Sequence, residues 1–315
     1  MFKNSKIFLT GHKGLIGSAT FKKLKENDYK NIITKTRKQL DLNNKLKVEN
    51  FFDIVRPDVV IICSGKSGNL YKCINQPSTL FFENIWSQNN LINSAKKYGV
   101  SRLIYIASSC VYPNITSRAI KEEDLLSNKF DMDTLTYTFV KLSGLLLCKS
   151  VNYEHFNNQN KFISIIPNTA YGPNDNFSNK NSHVFSALLK KFYDAKVKNK
   201  RSVNVFGSGK PKREFVFSED IASAIIFLLK QKKLKYPFYN VGTNVETSIK
   251  KLAELISKKV NYNGLIKYDP SKPEGRKSKL LDSKKIINLG WKPTINIEEG
   301  LEITYDWYKR RYKNG

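Results

Sequence analysis

The first half of the chain alternates short, almost unbroken apolar runs with longer stretches in which apolar residues recur every three or four positions. The runs Ile7–Thr10, Asn31–Lys35, Asp58–Cys63, Leu103–Ala107 and Phe162–Pro167 read as strands. Between them, Gly14–Asn27, Leu46–Val55, Trp86–Tyr98 and Thr138–Tyr153 carry helical spacing. Strands that are apolar at successive positions, as in Asp58-Val59-Val60-Ile61-Ile62, have no solvent face. They belong in a parallel sheet covered by helices on both sides. The pattern therefore predicts an α/β chain on a Rossmann-type, doubly wound parallel sheet. The rhythm breaks after Tyr171-Gly172-Pro173, where an Asn-, Gly- and Pro-rich stretch to Lys180 reads as a boundary loop. We expect a first domain over residues 1–170 and a smaller, mixed α/β domain over residues 171–315, with some of its segments returning to the first. In the second, Asp269–Lys279 reads as a loop over a site and Leu301–Arg311 as a closing amphipathic helix.

Composition narrows the class. With 315 residues and 40% hydrophobic content the chain can bury a large core. No apolar stretch approaches the roughly 18 residues that cross a bilayer. The N-terminus runs into a polar glycine turn after a few apolar residues, unlike a signal peptide. Cys63, Cys73, Cys110 and Cys148 form no CxxC pair and no zinc-spaced cluster with histidine. Reduced thiols, no metal and a cytoplasmic setting are the expectation. The formal charge of +27 raises a nucleic-acid partner. That charge is mostly lysine and is spread along the whole chain, and clusters such as Lys196–Arg201 and Lys230–Lys235 read as solvated loops or helix ends. No nucleic-acid module accompanies it. The expected partner is neither nucleic acid nor membrane but an anionic small molecule.

The candidate chemistry starts at Thr10-Gly11-His12-Lys13-Gly14-Leu15-Ile16-Gly17-Ser18, directly after the first strand. A glycine turn that opens a helix lets backbone N–H groups approach a pyrophosphate at the helix's positive end. Taken alone, an ordinary tight turn reads the same way. Tyr137 and Lys141 share a face at the start of a helix. An ammonium beside a phenol favours the phenolate, so the tyrosine can exchange a proton with a carbonyl or alcohol oxygen near neutral pH. In a chain with 16 tyrosines and many lysines that pair is weak by itself. Ser108 at the end of the fourth strand and the upstream glycine turn strengthen it. An NAD site usually holds an acid at the end of the second strand, an NADP site an arginine. Here Thr34-Lys35-Thr36-Arg37 shows no acid before Asp41, which suits NADP; the alternative is a solvated basic loop. Of the histidines, His12 is expected to pack near the cofactor and His155 at the surface, while His183 precedes a helix, where a capping or surface role is the default.

Together these segments resemble the extended short-chain dehydrogenase/reductases and, within them, the GDP-L-fucose synthase family of epimerase–reductases. The likeness runs from about Lys6 to about Tyr308. It is carried by Thr10–Ser18, Ser108-Ser109-Cys110-Val111-Tyr112-Pro113, Tyr137–Lys141, Tyr171–Phe177, Ser182-His183-Val184, Gly207–Phe215, Lys272-Pro273-Glu274-Gly275 and Lys279–Asp282. The resemblance implies a Ser108, Tyr137 and Lys141 reductase triad and a Cys110–His183 pair for epimerisation at C3 and C5 of a 4-keto sugar. Protons beside the ketone are acidic because the carbanion is an enolate, so one group can remove and another return a proton on the opposite face. The implied NADP site comprises Gly11, Lys13, Gly14, Leu15, Ile16, Gly17, Arg37, Asp41, Lys141, Pro167, Thr169 and His183. The implied sugar-nucleotide site comprises Val184, Leu188, Lys191, Phe206, Arg213 and Lys279, with Arg213 on the diphosphate. A homodimer and the conversion of GDP-4-keto-6-deoxy-D-mannose to GDP-L-fucose follow from the same resemblance. The chain departs from the family pattern at Asn168-Thr169, where the asparagine has moved by one. It departs again at Phe206, in place of a tryptophan, and at Gly65-Lys66-Ser67-Gly68-Asn69. These departures keep a related sugar, such as a GDP-6-deoxy-4-keto-heptose, open as an alternative substrate. A non-catalytic NADP-binding protein is the third reading.

Overall fold

The computed structural model describes residues 3–66, 70–127, 129–178, 182–272 and 275–312. Ser67, Gly68, Asn69, Pro273 and Glu274, which the sequence reading used, lie outside the described residues. The strands run β1 (Ile7–Thr10), β2 (Ile32–Ile33), β3 (Val59–Ile62), β4 (Arg102–Ile106), β5 (Phe162–Pro167), β6 (Thr169–Tyr171), β7 (Ser202–Phe206), β8 (Lys212–Arg213), β9 (Phe215–Phe217), β10 (Phe238–Val241), β11 (Thr247–Ser248) and β12 (Leu265–Asp269). The helices are α1 (Leu15–Glu26), α2 (Lys45–Val55), α3 (Leu70–Asn75), α4 (Pro77–Lys97), α5 (Leu135–His155), α6 (Val184–Val197), α7 (Ser218–Lys230), α8 (Ile249–Val260), α9 (Lys284–Ile287) and α10 (Ile297–Tyr312).

One six-stranded sheet has the order β10-β5-β4-β3-β1-β2, and every neighbouring pair is parallel. The apolar runs are explained by its two faces. Ile7, Leu9, Val59 and Ile61 enter one core with Leu24 of α1 and Ile221, Ile225 and Leu228 of α7. Phe8, Val60 and Ile62 enter the other, with Phe52 of α2, Leu91 and Ile92 of α4 and Leu142 and Leu145 of α5. Each such side chain contributes roughly 1.5–3 kcal/mol on burial. This is the doubly wound arrangement, and the strand order reverses between β1 and β3. Such a switch point opens a crevice at the strands' carboxyl ends, where ligands bind in folds of this kind. A third core joins α6, α8 and α10 through Phe185, Leu189, Leu252, Ile256, Leu301 and Tyr305. Around it lie the short pairs β12–β7, β6–β9 and β11–β8. The chain then crosses back, since α7 packs on α1 and β10 pairs with β5.

Several boundaries differ from the sequence reading, the closing helix α10 starting at Ile297 among them, and three of the differences have a plain physical reason. The second strand keeps only Ile32 and Ile33, because it lies on the sheet edge and pairs with β1 alone. The helix read from Trp86 begins at Pro77, a residue favoured in a first helical turn. Its buried face includes Asn84, Ser87, Gln88, Asn90 and Ser94, which conceals the apolar period. Gln88 is satisfied there: its Nε2 donates to the Val140 carbonyl at 2.9 Å and its Oε1 accepts from the Tyr105 hydroxyl at 2.7 Å. The helix read from Thr138 starts at Leu135, so Tyr137 stands in its first turn. Among the described residues no helix is long and apolar enough to cross a membrane, and none of their His, Cys, Asp and Glu side chains cluster as a metal site.

Candidate active site

At the switch point the glycine turn is fixed by close backbone approach. Gly11 has φ +67°, and a Cβ there would lie 2.6 Å from the Cys63 carbonyl oxygen. A Cβ on Gly17 would lie 2.1 Å from the Gly11 carbonyl oxygen, so α1 rests directly on the turn. Gly14 caps α1 without a side-chain hydrogen bond, and no acid occupies the first turn. The exposed N–H groups and helix dipole there suit an anion. Thr10 Oγ1 donates to Ser64 Oγ at 2.9 Å and holds the ends of β1 and β3 together. A cavity of about 410 Å³ is lined by Gly11, His12, Lys13, Arg37 and Asp41. The buried His12 Nδ1 finds no protein partner in the structure, and burial holds the imidazole below its usual pKa. Arg37 Nη1 lies 3.7 Å from Glu83 Oε1, with the arginine side chain 66% exposed. The glycine cradle, the orphaned imidazole nitrogen and the exposed cations Lys13 and Arg37 fit the diphosphate and adenosine end of a dinucleotide.

The second cavity, about 950 Å³, adjoins the first and also reaches Gly14, Leu15 and Ile16. Ser108, Cys110, Tyr137, Lys141, Pro167, Thr169, His183, Val184, Leu188, Lys191, Phe206, Arg213 and Lys279 all line it. Gly17 lines neither cavity, because its part is to let α1 approach the turn. Ser108 follows β4 and caps a single 3-10 turn, Ser109–Val111, where Cys110 N donates to Ser108 Oγ at 3.4 Å. Thr138 Oγ1 on α5 donates to the Cys110 carbonyl at 3.0 Å, which ties the turn to the helix. Tyr137 is buried against Cys73 and Leu80, with Cys110 packed alongside. Lys141 Nζ donates to the Ile106 carbonyl at 3.0 Å and lies over the Tyr105 ring. Burial pushes Lys141 down to about 8, opposed by the Cys110 and Cys63 thiols.

His183 occupies the N-cap position of α6, but its side chain makes no cap hydrogen bond. The cap reading weighed from the sequence therefore does not use the imidazole. Asp175 nearby accepts from Ser186 Oγ and from Asn176 N. Burial raises its carboxyl, while His183 opposes the shift. Further out, Lys191 Nζ donates to the Asn204 carbonyl at 2.9 Å and sits 4.3 Å over the Phe206 ring. Arg213 Nη1 donates to the carbonyls of Lys212 and Arg276 at 2.7 and 2.6 Å. Burial pushes Lys279 down to about 8, opposed by Cys110 and reinforced by Arg276 and Arg213.

Sequence reasoning missed two groups here. Asn168 is buried, accepts from Ser109 Oγ at 3.2 Å, and donates to Glu214 and to the Lys279 carbonyl. Its shift by one position was visible in the sequence, yet a buried hub was not deducible from that. Arg276 also lines the large cavity. It lies in the stretch read as a loop over a site, but nothing in the local spacing set it apart from the other basic residues there.

The fold and site define a nucleotide-dependent epimerase–reductase scaffold, and the comparisons agree. The chain belongs to the NAD dependent epimerase/dehydratase family, whose model matches residues 7–242. It is 38% identical over 99% of its length, and 95% of the relative's, to GDP-L-fucose synthase 1 of Arabidopsis thaliana. A GDP-L-fucose synthetase from Naegleria fowleri bound to NADP superimposes with a TM-score of 0.89 at 27% identity, covering 100% of this chain and 96% of that one. A GDP-6-OMe-4-keto-L-xylo-heptose reductase from C. jejuni superimposes with a TM-score of 0.91 at 29% identity over 99% of each chain.

Proposed function

We propose that this chain is an NADPH-dependent 3,5-epimerase and 4-reductase that converts GDP-4-keto-6-deoxy-D-mannose to GDP-L-fucose. One observation carries the reading. Two kinds of chemistry share one cavity: Ser108, Tyr137 and Lys141 for the carbonyl, and Cys110 and His183 for the carbons beside it. Arg213 and Lys279 line the same cavity and suit a diphosphate, Arg213 through a bidentate fork.

The side chains divide the work as follows. Cys110 and His183 remove and return protons at C3 and C5, the ketone holding the carbanion as an enolate. NADPH, when bound, supplies hydride to C4. Tyr137 gives its proton to the sugar's O4, and Ser108 hydrogen-bonds the same oxygen. Lys141 stays protonated over most of the range below about 8 and favours the Tyr137 phenolate that forms. Arg37 and Lys13 take the cofactor's 2′-phosphate, and Gly11 to Ile16 its diphosphate.

The test is direct. The protein is mixed with NADPH and GDP-4-keto-6-deoxy-D-mannose, NADPH absorbance is followed, and the product is identified by NMR. GDP-L-fucose with deuterium from solvent at C3 and C5 is expected. Turnover of a GDP-6-deoxy-4-keto-heptose alone would favour the second reading, which the heptose reductase's superposition supports. A protein that binds NADPH and reduces neither sugar would be a non-catalytic member of the family.

The same proposal includes a homodimer in a cytoplasmic setting, in keeping with four free thiols. The packed helices α4 and α5 leave Phe82, Trp86, Phe139 and Tyr153 exposed on their outer faces. A second copy would cover such a patch. Light scattering on wild type and on Trp86→Glu checks this: a dimer that Trp86→Glu dissociates is expected, and a wild-type monomer would end the idea.

A further inference from the structure

Arg276 is buried far beyond what a solvated loop arginine needs, with its side chain 9% exposed. Buried guanidinium groups persist only where their N–H groups find partners. Here Nη1 donates to the Pro113 carbonyl at 3.0 Å, and Nη1 and Nη2 both reach the Tyr112 carbonyl at 3.4 Å. Nε lies 3.6 Å from Asp131 Oδ2. Asp131 lines the sugar cavity itself, and Tyr112 and Pro113 lie just behind its wall. Tyr112 and Pro113 leave the turn that carries Cys110. Asp131 caps the short turn Met132–Thr134, which runs straight into α5 and Tyr137. On its other side the Arg276 carbonyl accepts from Arg213 Nη1 at 2.6 Å. A single residue thus ties the arginine assigned to the diphosphate to the turn that holds the thiol.

We propose that Arg276 is a positioning residue for the epimerisation step: its guanidinium pins the Tyr112–Pro113 backbone so that Cys110 faces the sugar's C3 and C5 when the diphosphate engages Arg213. The inference rests on the epimerase reading given above. A guanidinium suits the place because its Nη atoms reach the two carbonyls while Nε faces Asp131, a spread of donors that a single ammonium does not span. Without it the Cys110 turn keeps its tie to Thr138 but loses its anchor to the loop that covers the site.

The experiment separates proton chemistry from hydride chemistry. Deuterium incorporation at C3 and C5 of the 4-keto sugar is followed by NMR. In parallel, NADP⁺-dependent oxidation of GDP-L-fucose reports hydride transfer without prior epimerisation. In Arg276→Ala, exchange falls on the order of 10²-fold, as expected for a reacting group displaced by about 1 Å. GDP-L-fucose oxidation and NADPH binding change by less than about tenfold by the same reasoning. Millimolar guanidinium chloride restores part of the exchange in Arg276→Ala and none in wild type, and Arg276→Lys falls between the two. Exchange at the wild-type rate in Arg276→Ala overturns the proposal. So does an equal loss of exchange, oxidation and cofactor binding with no guanidinium rescue, which marks a purely structural tie. If wild type itself incorporates no deuterium, the epimerase reading fails and this inference with it.

Discussion

Ser108, Tyr137 and Lys141 stand at the end of β4 and in the first turns of α5, whereas Arg213 and Lys279 stand on a two-residue strand and a loop. The two walls of one cavity therefore reach the same precision by different means. On the first wall the sheet and helix supply the rigidity, and the Ile106 carbonyl and the Tyr105 ring, both on β4, hold the Lys141 ammonium. On the second, two carboxylates, one buried and one half-buried, replace secondary structure. Glu214 accepts from Asn244 N at 2.7 Å, from Leu281 N at 3.0 Å and from Asn168. Glu246 accepts from Ser278 Oγ at 2.7 Å and Lys279 N at 3.0 Å. On the proposed assignments, reaction chemistry sits where the backbone is fixed by the fold, and substrate recognition sits on loops that can vary, held by a few polar hubs.

The largest effect separates the walls by function. Tyr137→Phe removes the proton donor and leaves both cavities their shape. NADPH oxidation should fall about 10²–10⁴-fold, with the NADPH dissociation constant unchanged by fluorescence titration. Retained turnover would take Tyr137 out of the mechanism. The next breaks the loop wall alone. Glu214→Ala strips an acceptor from the buried Leu281 N–H and Asn168 amide, and from Asn244 N nearer the surface. Unpaired buried donors cost about 1–3 kcal/mol each, so chemical denaturation should show a loss of roughly 3 kcal/mol or more. The Lys279 segment should lose amide exchange protection before the first turns of α5 do. Uniform loss over both walls would show that they are one rigid unit.

How much of this was legible in the sequence follows the same division. The first wall could be read because its residues lie within contiguous motifs and each motif ends a strand or opens a helix: Gly11 to Gly17 after β1, Ser108 after β4, Tyr137 and Lys141 on one face. The apolar runs fixed the sheet because every position is buried against one of two cores. The second wall was read only through the family resemblance. Asn168, Glu214 and Arg276 make contacts across long stretches of chain, and no local period encodes those. Burial of polar residues also hid the start of α4, where Asn84 donates to the Leu80 carbonyl and accepts from Lys66 N instead of facing water.

Arg37 tests the cofactor end with a smaller effect. Its nearest carboxylate, Glu83, is 3.7 Å away and the arginine side chain is 66% exposed, so the guanidinium can turn to a phosphate at little cost. A charge-assisted hydrogen bond contributes about 1.5–3 kcal/mol. Arg37→Ala should therefore raise KM for NADPH roughly 10–100-fold and leave KM for NADH within about twofold. Equal kinetic efficiency of wild type with the two cofactors would refute the 2′-phosphate assignment.

The smallest effect sets Lys141 against Lys279 by pH. Burial lowers both from 10.5 to about 8 in the folded protein. Between about pH 8 and 10.5 the unfolded chain then binds more protons than the folded one, so stability of the unliganded protein rises with pH across that window. On the proposed assignments function runs the opposite way, because the diphosphate would need the Lys279 ammonium and the Tyr137 phenolate that of Lys141. For a group titrating at about 8, the charged fraction drops about tenfold between pH 7 and 9. KM for the nucleotide sugar should rise by up to about that factor in wild type. In Lys279→Met the KM is higher at every pH and its rise disappears, while the fall of kcat above about pH 8 persists because Lys141 is intact. A pH series of kcat and KM on both proteins reads the two lysines separately. If KM in Lys279→Met climbs with pH as steeply as in wild type, the titrating charge that binds the anion belongs to a group other than Lys279.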